Sequence, residues 1–115
     1  GFDTFYHEWV NGDTKFPFIS CKSEQLYKAF GQWTRNTGEH QISMKRFIIE
    51  GKKHGIIPSD KAKHWKGNRI KGQNKIILVG EKPDSEQEQV WLGLQIEQFE
   101  DSLNGVNDVP EAKYA

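Results

Sequence analysis

The chain has a single cysteine, Cys21, among 115 residues, so no internal disulfide can staple it. That usage fits a reducing compartment and excludes a disulfide-built secreted scaffold. Long apolar runs are lacking too: none approaches the roughly 18 residues that a membrane span needs. Nothing at the start has the charged and apolar regions of a signal peptide. Net charge is missing as well, with sixteen basic residues against sixteen acidic ones. Apolar residues reach only 35%, a low share for a packed domain. Aromatic content compensates: seven Phe, three Tyr and four Trp can fill a compact core. The length suits one domain of ordinary size and sets a multidomain enzyme aside. A chain opening on Gly1 in place of methionine reads as a piece of a longer protein, with a cytosolic setting the default.

The zero average hides a split. Residues 1–80 hold 14 Lys/Arg against 7 Asp/Glu, a net charge of +7, and residues 81–115 hold 2 against 9, a net charge of −7. The densest basic stretch is 43–75, where Lys45, Arg46, Lys52, Lys53, Lys61, Lys63, Lys66, Arg69, Lys71 and Lys75 face only Glu50 and Asp60. His54 and His64 stand in reserve. Such a block seeks a polyanion, or else forms a solvated face.

Periodicity orders the elements. Phe2, Phe5, Tyr6 and Trp9 fall on one face of a short helix that Asn11-Gly12-Asp13 breaks. Phe16-Pro17-Phe18-Ile19 predicts a short extended stretch, confined to a sheet edge by its proline. Ser20 or Ser23 can cap a second helix carrying Leu26, Ala29, Phe30 and Trp33, which Asn36-Thr37-Gly38 ends. Ser43 caps a third, with Met44, Phe47, Ile48 and Gly51 inward, closed by Gly55 and kept closed by Pro58. His64 to Ile70 and Lys75 to Val79 then read as two strands of a hairpin turning at Lys71-Gly72-Gln73-Asn74. Helix, short strand, helix, helix and β-hairpin wing, in that order, make an α+β winged helix-turn-helix domain over residues 1–80. Residues 81–115 add an acidic linker, an amphipathic helix with Leu92, Ile96, Phe99 and Leu103 on one face, and a frayed end.

The third helix is where this pattern meets the charge. With its apolar face inward, Arg46, Ile49 and Lys53 point away, flanked by Lys45 and Glu50, behind the cap Ser43. Two cations spaced along one face can reach phosphates or guanine edges in a major groove, which admits one helix. Ile49 has two readings: contact with a thymine methyl, or packing against a neighbouring element, the commoner fate of such a residue. Glu50 likewise can accept from a cytosine amine or pair with Arg46 or Lys53 on the helix surface. The wing offers Lys66, Asn68, Arg69, Lys71 and Lys75 to the phosphate backbone or a minor groove. Its plainer reading is an edge hairpin made basic against aggregation.

Enzymatic motifs are wanting. Gly51-Lys52-Lys53-His54 lacks the first glycine and the hydroxyl of a phosphate-binding loop, and no dinucleotide fingerprint occurs. His7, His40, His54 and His64 do not have the paired spacing of zinc ligands. Cys21 reads as a small, partly buried residue near a helix start rather than a nucleophile. Glu50 with Lys52, or Asp84, Glu86 and Glu88, could imitate fragments of a metal nuclease site, but closely spaced acids are usually just solvated. No catalytic residue, metal or cofactor is expected.

Leu26-Tyr27-Lys28-Ala29-Phe30, Gln32-Trp33, Gly38, Ile42-Ser43 with Phe47, and Gly55, followed by Lys66-Gly67-Asn68-Arg69 and Ile76-Ile77-Leu78, resemble a known module. It is the C-terminal winged-helix domain of phage and plasmid primase-helicases, including the replication initiators of staphylococcal pathogenicity islands. The resemblance covers roughly residues 16–80. It implies binding of double-stranded DNA at origin repeats, as a terminal module helping to load a hexameric superfamily-three helicase. By position, Arg46, Ile49 and Lys53 would be readers, with Arg69 and Lys71 on the wing. The partners implied are origin DNA and the rest of the parent protein, with this piece itself a monomer. The helix at 2–9 and the acidic tail have no counterpart in that pattern, and the nucleotide-binding and primase motifs are absent. A winged-helix repressor or a protein-docking module is the alternative. For the tail, three roles stand open: packing on the body, competing with nucleic acid for the basic face, or docking on a partner.

Overall fold

The computed structural model describes residues 1–56, 76–81, 83, 84 and 86–105, together with the backbone pairing of 64, 65, 68 and 69. Among the described residues, four helices and two small antiparallel sheets make an α+β fold, mostly helical. The order is α1 (Phe2–Asn11), β1 (Cys21–Lys22), α2 (Ser23–Thr37), α3 (Met44–Lys53), β2 (His64–Trp65), β3 (Asn68–Arg69), β4 (Ile76–Ile77) and α4 (Glu88–Leu103).

Aromatic rings join the helices. α1 turns Phe2, Phe5 and Trp9 inward and ends on Gly12, whose φ of 81° is the left-handed conformation that glycine takes without a Cβ clash. Phe5 meets Phe30 and Trp33 of α2 at ring separations of 5.3 and 5.6 Å, and Phe2 meets Phe47 of α3 edge-on at 5.4 Å. Each such pair adds about 0.5–1.5 kcal/mol beyond the area it buries. The indole N–H groups are satisfied too: Trp9 donates to the Pro17 carbonyl at 2.9 Å and Trp33 to Glu8 at 3.0 Å.

Two expectations near the first strand are corrected. Residues 16–19 form no strand; Thr14 Oγ1 and Phe16 bond each other, and the Ile19 N–H donates to the Pro17 carbonyl two residues back. These local turns take up the groups that a ladder would need, and pairing starts only at Cys21. Neither serine caps α2. The Lys22 N–H at its start donates to Gln25 Oε1 at 2.9 Å, while the Ser20 hydroxyl accepts from the Val79 N–H at 2.9 Å and donates to the Val79 carbonyl. Cys21 is fully buried in the strand rather than partly buried, and burial pushes its thiol far above the ordinary value, so it carries no thiolate.

The hairpin also differs. β4 pairs with β1, Cys21 opposite Ile77 and Lys22 opposite Ile76, and among the described residues not with 64, 65, 68 or 69. That stretch folds on itself, His64 opposite Arg69 and Trp65 opposite Asn68, with Lys66 and Gly67 between them in sequence. Apolarity decides the choice: Ile76 and Ile77 are both fully buried and go where the core is, beside Cys21. The 64–69 run has one apolar residue, Trp65, and so lacks the alternation that would hold a longer strand against a core. The predicted turn at 71–74 and the helix stop at Pro58 lie outside the described residues.

α4 is part of the same core. Phe99 stacks on Phe16 at 6.1 Å and meets Trp9 edge-on at 6.5 Å, and Leu92 and Leu103 are buried. Gln25, itself buried, donates to the Ile96 carbonyl and to Glu100, and Gln32 donates to the Leu103 carbonyl. Of the three roles open for the tail, packing on the body is the one realised by residues 88–103. The frayed end expected beyond Asn104 falls, from 106 on, outside the described residues.

Candidate nucleic-acid interface

α2 seats α3 through one ring and one hydroxyl. Tyr27 lies edge-on to Phe47 at 5.2 Å, and its hydroxyl donates to the Ile42 carbonyl at 2.7 Å, fixing the connection that leads into α3. Gly38, at φ 75°, turns the chain out of α2, and Ser43 opens α3 by accepting the Arg46 N–H at 3.1 Å. Phe47 and Gly51 are buried and Ile48 is half-buried, as their spacing predicts. Met44 is not inward: it is 37% exposed, because the ring cluster that receives Phe47 lies one turn further along.

The opposite face carries the predicted readers. Lys45, Arg46, Ile49 and Lys53 are all exposed. Ile49, at 40% exposure, is outside the core cluster of the described residues and presents apolar surface among cations. Glu50 sits between them with 18% of its side chain exposed, and one oxygen, Oε2, meets Arg46 Nη2 at 3.1 Å and Lys53 Nζ at 3.5 Å. A shallow groove of about 450 Å³ lies beside this pair, between the start of α1 and α3, with Phe2, Asp3 and Ile42 among its walls.

The sequence offers His54 only as a reserve charge, and the fold commits it elsewhere. Its ring lies 4.5 Å from that of Tyr6, and Nε2 is 2.6 Å from Asp3 Oδ1, tying the end of α3 to the first turn of α1. That bond, with the nearby imidazole charge, holds the Asp3 carboxyl below its ordinary value. Fifty-one residues separate the two, and no local pattern in the sequence announces the contact.

The wing is less complete. Asn68 and Arg69 lie in β3, while Lys66, Lys71 and Lys75 fall outside the described residues. Among the described residues no group of three His, Cys, Asp or Glu could hold a metal ion, and no helix is long and apolar enough to cross a membrane.

The charge split of the sequence becomes a spatial one. α3 carries Lys45, Arg46, Lys52 and Lys53 against Glu50, whereas α4 carries Glu88, Glu97, Glu100 and Asp101 without a cation. On α2, Gln25 and Gln32 bond α4 while Tyr27 holds α3. At about 100° per residue the two glutamines lie roughly 150° around the helix from Tyr27. α4 therefore packs on the far side of α2 from α3, away from the basic face.

Comparison with protein-family models, with curated proteins and with solved structures finds no match for this chain.

Proposed function

We propose that the chain is a non-catalytic double-stranded DNA-binding module of winged helix-turn-helix type, with α3 as its recognition helix. The observation that carries this is the outward face of α3, where Lys45, Arg46, Ile49 and Lys53 are exposed together on a helix held by Phe47 and Ser43. A single helix with cations spaced along one face matches the width of a major groove and the spacing of phosphates along its rims. On this reading α2 and α3 form the helix-turn-helix pair, and the basic 64–75 segment supplies the wing.

The resemblance of residues 16–80 extends the reading: the module would recognise origin repeats as the terminal part of a helicase-primase initiator. One such small module presents few base contacts, so its specificity alone would be modest. Several copies joined in a parent assembly would gain avidity where the repeats allow simultaneous engagement. A protein-docking module is the second reading, favoured by the exposed Val90 and Leu94 on the outer face of α4, at 66% and 62% exposure.

Titration of a labelled duplex and of its single strands at low salt tests the proposal. The expected result is preference for duplex, lost in Lys53→Glu and kept in Arg35→Glu, an equal charge reversal on the exposed end of α2. Equal weakening by both reversals would mean that general charge, and not the α3 face, carries the binding.

A further inference from the structure

The geometry points to Glu50 as a specificity-determining residue that reads a cytosine in the major groove and restrains Arg46 and Lys53 from indiscriminate phosphate binding. This inference rests on the duplex-binding reading of α3. Glu50 is the one carboxylate on that helix, at the edge of its cationic face and within reach of a cation four residues before it and another three residues after. A single oxygen, Oε2, faces both Arg46 at 3.1 Å and Lys53 at 3.5 Å. The cations are open to solvent, with side-chain exposures of 59% and 62%, whereas Glu50 at 18% lies against the helix between them.

Such an arrangement has two consequences for a duplex approaching the face. A phosphate that reaches for Arg46 or Lys53 must compete with the carboxylate already paired to them and is repelled by its charge. Non-specific binding, which is almost wholly phosphate contact, is thereby weakened. A base edge meets the carboxylate differently. Guanine offers two acceptors in the major groove, thymine an acceptor and a methyl group, and adenine an acceptor beside its amine. The amine of cytosine has an acceptor on one side only, the O6 of its paired guanine, whereas that of adenine lies between its own N7 and the O4 of the paired thymine. Cytosine is therefore the base that a carboxylate bonds with least repulsion. The other oxygen, Oε1, or Oε2 itself once one cation has turned to the DNA, can accept that bond. Arg46, kept 3.1 Å away, then stands ready for a neighbouring guanine edge or phosphate.

The test is selection from a library of randomised duplexes by the wild-type chain, by Glu50→Ala and by Glu50→Gln. The Glu50 side chain is largely covered but pairs with the exposed Arg46 and Lys53, and unchanged circular dichroism and thermal midpoint for Glu50→Gln establish that the fold is kept. The wild-type chain is expected to enrich a site with one strongly preferred C·G pair. Loss of a good base contact is worth about tenfold, so Glu50→Ala should bind that site about tenfold less selectively while holding unselected duplex more tightly. Glu50→Gln should move the same position toward adenine, whose N6 and N7 an amide can bond in pairs. An identical enriched site in all three proteins, with affinity for every duplex raised alike in the variants, would overturn the inference and leave the duplex-binding reading intact. No binding of any duplex by the wild-type chain would overturn that reading itself, and this inference with it.

Discussion

Phe47 and Arg46 are neighbours in sequence with opposite tasks, and the difference can be measured. Phe47 is fully buried against Phe2, Tyr27 and Phe30. Phe47→Ala is expected to cost about 3–5 kcal/mol of stability, the usual price of an emptied aromatic site; denaturant unfolding would read it as a lowered midpoint. Arg46 is exposed, and Arg46→Ala should leave the fold unchanged while weakening binding to a selected duplex by about 1–3 kcal/mol and relaxing discrimination. Equal losses on selected and random duplex would remove it as a reader. Asp3 gives a pH-dependent case. Its carboxyl is held below the ordinary value by the His54 bond, so in that range the folded state binds fewer protons than the unfolded chain. The stability from this contact is complete above the ordinary carboxylate range and is lost as pH falls through the depressed Asp3 value. Unfolding midpoints of the wild-type chain and Asp3→Asn should differ at pH values above that range and converge in acid below it.

At the scale of elements, the helices were legible because each carries its own signal. The 3.6-residue period of Phe2, Phe5 and Trp9, of Leu26, Phe30 and Trp33, and of Leu92, Phe99 and Leu103 survives as burial in the fold. Gly12 and Gly38 end their helices in the left-handed conformation that the sequence suggests. Ser43 works as the cap it resembles, and Ser43→Ala should cost about 1 kcal/mol, seen as a lower thermal midpoint with an unchanged structure. Strand pairing was not legible in the same way. Ile76-Ile77 has no local feature that chooses Cys21-Lys22 over the nearer 64–69 segment; the choice depends on where the core lies after the helices have packed. The Asp3–His54 bond and the Gln25 bonds to Ile96 and Glu100 are hidden for the same reason. Exposure of the α3 face could be read from periodicity, but the shared hold of Glu50 on two cations needed side-chain positions. Met44 shows the limit of the periodic argument: its angle on the helix is apolar-facing, yet it is exposed.

For the whole molecule, the acidic and basic halves of the sequence are parts of one core rather than two bodies. Phe99 and Leu103 of the acidic half share a cluster with Trp9, Phe16, Leu26 and Phe30 of the basic half. Deleting residues 81–115 should therefore expose that cluster and abolish cooperative unfolding, which calorimetry would record as loss of a sharp transition. A shortened chain that still melted sharply at the original temperature would show that α4 adds nothing to the core. Among the described residues, α4 lies beyond α2 and leaves the outward face of α3 uncovered. Whether the α3 face binds duplex DNA is read from a salt titration of duplex affinity. Each phosphate contact released contributes about −0.9 to the slope of log affinity against log salt on duplex. The expected result is a linear decline with a slope of several such contacts for the wild-type chain, reduced by about one in Lys53→Ala. No binding of duplex at low salt, or a slope that Lys53→Ala leaves unchanged, would contradict it.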